Sequence, residues 1–340
     1  MRRVAMERSE WYTDRNERYG DIPGKKEKGE ERMKPFQIWD SHVHLFPPEI
    51  YQNWDKYAAM DETFANLTRK PANGKGTEEA WVNIEEALAC ADEAGVWGLG
   101  MQGWYWNDPG LMRLHNDYMA EALKKYPDRL RGFISVNPKF GREALDEIER
   151  CASLGFSGIG ELGPGGNGYD FEDPGFTAVL ECAMAYDLPV CIHCGEPVGH
   201  KYPGKDMTPL SPLPEIVRKY PKLKLILAHM GGGLPFYALN PRYRKHFQNV
   251  WYDMATNPLL YHISSIRAVI DMAGADHLLF GSDFPLLLYP SRCRQADMTM
   301  FVEDIRNHAG LSPKEWELVM GDNFRELMSK KSIDTEEHLC

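Results

Sequence analysis

Eight short apolar runs, each followed by a segment with helical spacing of apolar residues, divide most of this chain into repeated strand–helix units. The runs are 38–46, 96–101, 131–136, 158–162, 188–193, 223–229, 250–255 and 277–283. Strands joined through helices pair in parallel, and a parallel sheet is buried on both faces, so its strands read as near-continuous apolar runs. No second core with a different rhythm intervenes. The pattern predicts one (β/α)8 TIM barrel over residues 35–330, a size single barrels reach, within the 340 residues. Helices are predicted at 77–94, 110–125, 141–154, 174–186 and 212–220, with the last ones filling 296–330.

Three segments depart from the rhythm. Residues 1–34 carry charge of both signs and little periodicity, which predicts a tail that is disordered or packs on a neighbouring subunit. Met33 directly before the first strand reads as an alternative start of the native chain. Residues 331–340 form a short C-terminal tail. The insertion at 46–76, with Tyr51, Trp54, Tyr57 and Phe64, reads as a lid or pocket wall, or else as a packing layer over the barrel mouth.

Polar residues interrupt the apolar runs where such a barrel keeps its chemistry, at the C-terminal ends of strands. Asp40, His42 and His44 alternate along the first run and so share one face. Glu161, His193, His229 and Asp283 end the fourth, fifth, sixth and eighth runs. Alternation pairs them with Ile159, Cys191, Leu227 and Gly281, so each can face the barrel axis. Imidazoles and carboxylates gathered at one mouth suit a divalent ion. Asp40, one step deeper, is expected to accept an imidazole N–H behind the ligands, or to be a buried structural carboxylate.

Composition narrows the partners. A net charge of −11 and the lack of a basic stripe argue against nucleic acid and an acidic membrane surface. No run is long and apolar enough to span a bilayer, and no secretory leader is evident. The seven cysteines show no framework spacing and read as reduced interior thiols of a cytoplasmic protein. Cys191-Ile192-His193-Cys194 lies in an apolar strand rather than opening a helix, which disfavours a redox motif. Gly158-Ile159-Gly160-Glu161-Leu162-Gly163 fits a dinucleotide fingerprint by spacing, yet it too forms a strand and Pro164 follows.

The ordered set resembles the amidohydrolase superfamily, in particular its amidohydrolase-related, type 2 branch. The resemblance runs over about residues 36–328. It rests on His42-Val43-His44, His193 in Val-Cys-Ile-His, His229 in Leu-Ala-His-Met-Gly-Gly-Gly, Asp283 in Leu-Phe-Gly-Ser-Asp-Phe-Pro, and Gly321-Asp322-Asn323-Phe324-Arg325. Glu161 departs from that branch and is similar to the TatD-like hydrolases, where a carboxylate at this place contacts metal. The resemblance implies His42, His44, His193 and Asp283 as ligands of one or two ions. Zinc is the metal expected first, with manganese or iron compatible. Glu161 would bridge two ions or orient a water at one. His229 would polarise the substrate oxygen or bind a second ion, and Asp283 would also accept a proton.

The expectation that follows is a hydrolase of a small-molecule amide, cyclic amide, lactone or ester, acting through metal-activated water. The alternative is a non-oxidative decarboxylase or hydratase of a carboxylated ring or dienoic acid on the same ion. A non-catalytic barrel is the reading from a different class, and the full set of donors counts against it. For substrate contacts the loops offer Trp104, Trp106, His200 and Arg292, with Lys205 beside His200. A homodimer is compatible with a packed N-terminal tail.

Overall fold

In a computed structural model of the chain, residues 36–68, 81–198, 205 and 208–329 are described. The predicted tails and the helix start at Thr77 lie outside these residues. Among the described residues eight strands follow one another: β1 (Ile38–Val43), β2 (Val96–Met101), β3 (Leu130–Ile134), β4 (Gly158–Leu162), β5 (Val190–Ile192), β6 (Leu225–Leu227), β7 (Val250–Asp253) and β8 (Leu278–Leu279). Each pairs in parallel with the next, in the order β1 to β8. The last strand returns to the first through hydrogen bonds just beyond its regular part. Ser41 N–H donates to Phe280 O, Asp283 N–H to His42 O and His44 N–H to Phe284 O, each at 2.8 Å. The (β/α)8 TIM barrel is thereby closed.

The helices lie between the strands as the apolar spacing requires. Pro109–Lys125, Arg142–Ser153, Pro174–Ala185 and Leu213–Lys219 match their predicted ranges within a residue or two. The first outer helix differs. It begins at Ile84, because Asn83 and Glu86 form a reciprocal capping box there. Trp81 thus precedes the helix and stacks on Tyr51 at 5.6 Å between centroids.

The described part of the insertion is three short helices, Pro48–Gln52, Trp54–Ala58 and Glu62–Leu67. Phe64 and Tyr57 are buried beneath them, and Phe64 packs on Phe46 and Trp106. This stretch is a packed layer rather than a loose lid. The strands β5, β6 and β8 are shorter than their apolar runs, since the chain turns before each run ends. Cys90, Cys151, Cys191, Cys194 and Cys293 are free thiols, whereas Cys182 is disulfide-bonded, against the expectation of uniformly reduced cysteines. Among the described residues, no helix is long and apolar enough to cross a membrane.

Candidate metal centre

β1 delivers His42 and His44 to the C-terminal mouth with their Nε2 atoms 3.1 Å apart. Asp283 Oδ1 lies 3.5 Å from His42 Nε2 and 3.4 Å from His44 Nε2. These three form one cluster of converging donors. A second cluster joins Glu161, His193 and His229. Glu161 Oε1 lies 3.0 Å from His193 Nδ1 and 3.2 Å from His229 Nε2. Its other oxygen, Oε2, lies 3.8 Å from His42 Nε2 and 3.6 Å from His44 Nε2. Glu161 therefore spans both clusters, and all six residues singled out in the sequence meet at one place.

Local backbone explains how they get there. Gly160 (φ +130) supports Glu161 from a position where a Cβ would fall 2.5 Å from the Cys191 carbonyl oxygen, so no larger residue fits. His229 (φ 56) and Asp283 (φ 65) lie beyond the ends of β6 and β8, in left-handed backbone that a side chain disfavours. Strand alternation predicted their direction, but these local turns aim them instead. Such conformations persist when the surrounding structure over-determines them, and they concentrate at functional sites.

The supports of the imidazoles fix which nitrogen faces the cluster. His42 Nδ1–H donates to Asp253 Oδ2 at 2.9 Å. His229 Nδ1–H donates to the Ala255 carbonyl at 3.1 Å. Each ring consequently presents Nε2 inward. Burial opposes charge on His42, yet Asp253 and Glu161 outweigh it and hold its pKa well above the ordinary histidine value. Burial likewise pushes Glu161 upward, but His193 and His42 hold it well below the usual carboxylate range. A pocket that draws positive charge this strongly, through nitrogen and oxygen donors with lone pairs facing inward, fits a divalent cation.

Of the two readings of Asp40, the structure shows the buried carboxylate. Its Oδ1 accepts the backbone N–H of His42 (3.1 Å) and of Ser282 (3.0 Å), and no imidazole. Burial pushes its carboxyl up to about 7, against the hydrogen bonds from Ser282 and His42. The imidazole acceptor is Asp253, which went unnoticed in the sequence. It interrupts the apolar run 250–255 just as Glu161 interrupts 158–162, so the same rule finds it. Cys191, beneath His42, completes a third cluster with His42 and Asp253, and burial pushes its thiol up to about 12.

The expected substrate residues divide. Trp104 lies edge-on to His44 at 5.5 Å and stacks on Tyr105 at 4.8 Å, with the planes 13° apart. Tyr105 in turn stands 6.2 Å from His193. Trp106 is fully buried instead, and its indole N–H donates to His115 Nδ1 at 3.1 Å, so it belongs to the core. Arg292 is exposed with its guanidinium over Tyr289, 5.2 Å away, and shares no described contact with the centre. His200 lies outside the described residues. Lys205 is paired with Glu196 at 2.9 Å.

Comparison with known proteins places this geometry. The family described as Amidohydrolase matches residues 39–328, and the chain belongs to that family. It is 25% identical over 227 residues to 2-amino-3-carboxymuconate-6-semialdehyde decarboxylase of Dictyostelium discoideum, a match covering 54% of this chain and 60% of that protein. It is 28% identical over 223 residues to gamma-resorcylate decarboxylase of Polaromonas sp. strain JS666, covering 51% and 65%. The matches thus span under two thirds of these relatives' length.

Among solved structures, 5-carboxyvanillate decarboxylase from Sphingomonas paucimobilis aligns with a TM-score of 0.65 at 19% identity, over 86% of this chain and 99% of that one. A dihydroxybenzoic acid decarboxylase from Polaromonas sp., with bound manganese and the inhibitor 2-nitroresorcinol, aligns at 0.61 and 20%, over 86% and 97%. These names overturn the expectation of a hydrolase, since the similar proteins are decarboxylases. The chain's centre is a divalent-metal site; zinc, expected first, is not the metal that the Polaromonas structure holds.

Proposed function

We propose that this protein is a non-oxidative decarboxylase of a small carboxylated phenolic ring, or of a dienoic acid of similar shape, dependent on a divalent metal. One observation carries the reading: a histidine held by a carboxylate, His229 with Glu161, faces a separate donor cluster of His42, His44 and Asp283. Decarboxylation needs both halves, a cation for the departing carboxylate and an acid for the carbon it leaves. His42, His44 and Asp283 would hold one ion with Glu161 Oε2 beside them, and manganese, found in a similar decarboxylase, is the metal we favour. When bound, the ion neutralises and orients the substrate carboxylate.

The chain's own groups supply the rest. His229 carries the proton on Nε2 and gives it to the ring carbon, where the electron pair of the breaking C–C bond remains, as carbon dioxide leaves. Glu161 Oε1, accepting from His229 and His193, stabilises the charged imidazole before transfer. The stacked rings of Trp104 and Tyr105 wall the site with a flat apolar surface that favours a planar substrate.

The manganese-loaded protein incubated with 2,6-dihydroxybenzoate, 5-carboxyvanillate and related acids in oxygen-18 water tests this. Carbon dioxide should be released and the ring product should carry no heavy oxygen. Water oxygen in a product that keeps its carboxyl group would refute the assignment.

A further inference from the structure

We infer that Asp253 is the positioning residue of the centre, setting both the tautomer of His42 and the backbone of His229. The inference rests on the metal-centre reading above, but not on the reaction assigned to it. Asp253 is the last residue of β7 and is fully buried. Its Oδ2 accepts from His42 Nδ1–H at 2.9 Å. Its Oδ1 accepts from the backbone N–H of His229 at 2.9 Å and of Ala255 at 3.0 Å. A single carboxylate thus reaches a ring on β1 and the turn that follows β6.

The chemistry of the two partners gives these contacts their consequence. An imidazole that ligates a metal must be neutral, with one N–H and one lone pair, and an ionised carboxylate can only accept. The Asp253 contact therefore keeps the proton on Nδ1 and the lone pair on Nε2, the atom facing His44 and Asp283. The other oxygen ties down His229 in its left-handed conformation. It also holds Ala255, whose carbonyl receives His229 Nδ1–H. The donor for the ion and the proposed proton carrier are consequently set by the same side chain. Asp40, equally buried, accepts from the backbone of His42 and from Ser282 and orients neither ring.

Asp253→Asn separates these roles. The amide oxygen must face the two backbone N–H groups, because an NH2 group there would oppose two donors. The NH2 group is left to face His42, whose Nδ1 must then accept. The proton moves to Nε2, and the lone pair the ion needs is lost. Loss of such a supporting contact weakens metal binding roughly 10- to 100-fold. Calorimetric titration with Mn2+ alone should show that loss. Unchanged Mn2+ affinity in Asp253→Asn would overturn the inference.

A second measurement needs no variant. Nitrogen-15 histidine spectra of the zinc-loaded parent protein should show His42 with a proton on Nδ1 and metal on Nε2; metal on Nδ1 would overturn the inference as well. These spectra decide the matter if Asp253→Asn does not fold. Absence of any bound ion from the parent protein would overturn both the inference and the centre it rests on, whereas absence of decarboxylation would leave the inference standing.

Discussion

Asp283 joins the proposed ion site to the seam of the barrel. Its carboxylate lies against both β1 histidines, and its backbone N–H helps close the barrel. Asp283→Asn keeps the backbone bond and the side-chain volume but removes the negative charge that complements a cation. Turnover on an accepted substrate should fall by roughly 10^2- to 10^4-fold, with a melting temperature close to the parent's. A variant retaining full turnover would remove Asp283 from the reaction. The sequence disclosed Asp283 because a charged residue interrupts Leu-Phe-Gly-Ser-Asp-Phe-Pro, but it could not disclose the left-handed turn. That conformation is imposed by the tertiary contacts of its neighbours, and no local propensity announces it.

At the scale of elements, the helix Pro109–Lys125 shows how the barrel wall supports the mouth. His115 on this helix is fully buried between two partners. Trp106 Nε1–H donates to its Nδ1 at 3.1 Å, and its Nε2–H donates to the Leu45 carbonyl at 3.1 Å. Protonation would set a second N–H against the indole. Burial, aided by the charge of His44, pushes His115 down to about 3 from the ordinary 6.5. Because the folded value lies below the unfolded one, the unfolded chain binds more protons between these limits. Stability should therefore fall as pH drops from about 6.5 towards about 3, by up to about 1.4 kcal/mol per pH unit from this group. Urea unfolding across this range should show a shallower dependence in His115→Gln; an identical slope would show that another group controls it.

Helices such as Arg142–Ser153 are legible because their apolar spacing is strong and glycines, Gly141 and Gly155, flank them. The start at Ile84 is ambiguous in the sequence because Thr77-Glu78-Glu79 and Asn83 with Glu86 both look like helix openings. Trp104 and Trp106 looked alike from sequence, two residues apart on one loop. Only packing separates them, one beside His44 and the other sealed under Phe64.

For the whole molecule, the proposed ion would link residues contributed by β1, β4 and the segment after β8, which lie far apart in the chain. Anything that binds the folded state alone stabilises it, by about 2.7 kcal/mol when present at a hundred times its Kd. Removing metal with a chelator should lower the melting temperature by roughly 5 °C for a chain of this size, and added Mn2+ should restore it. Elemental analysis of the restored protein should give one ion per chain. Two per chain would assign His193 and His229 to a second ion, and a melting temperature indifferent to chelator would remove the ion from the fold's support.

The seam of the barrel has a further consequence, for how the protein comes into being. Among the described residues β1 is the first strand to be made, and the segment that completes both its pairing and its donor cluster, Phe280 to Phe284, follows the eighth strand. Until that stretch has been made, the nascent chain holds His42 and His44 without their opposing carboxylate and has an unpaired edge. Capture of the proposed ion would thus wait until Asp283 has been made, and a product truncated before it would have neither a closed wall nor the full donor set.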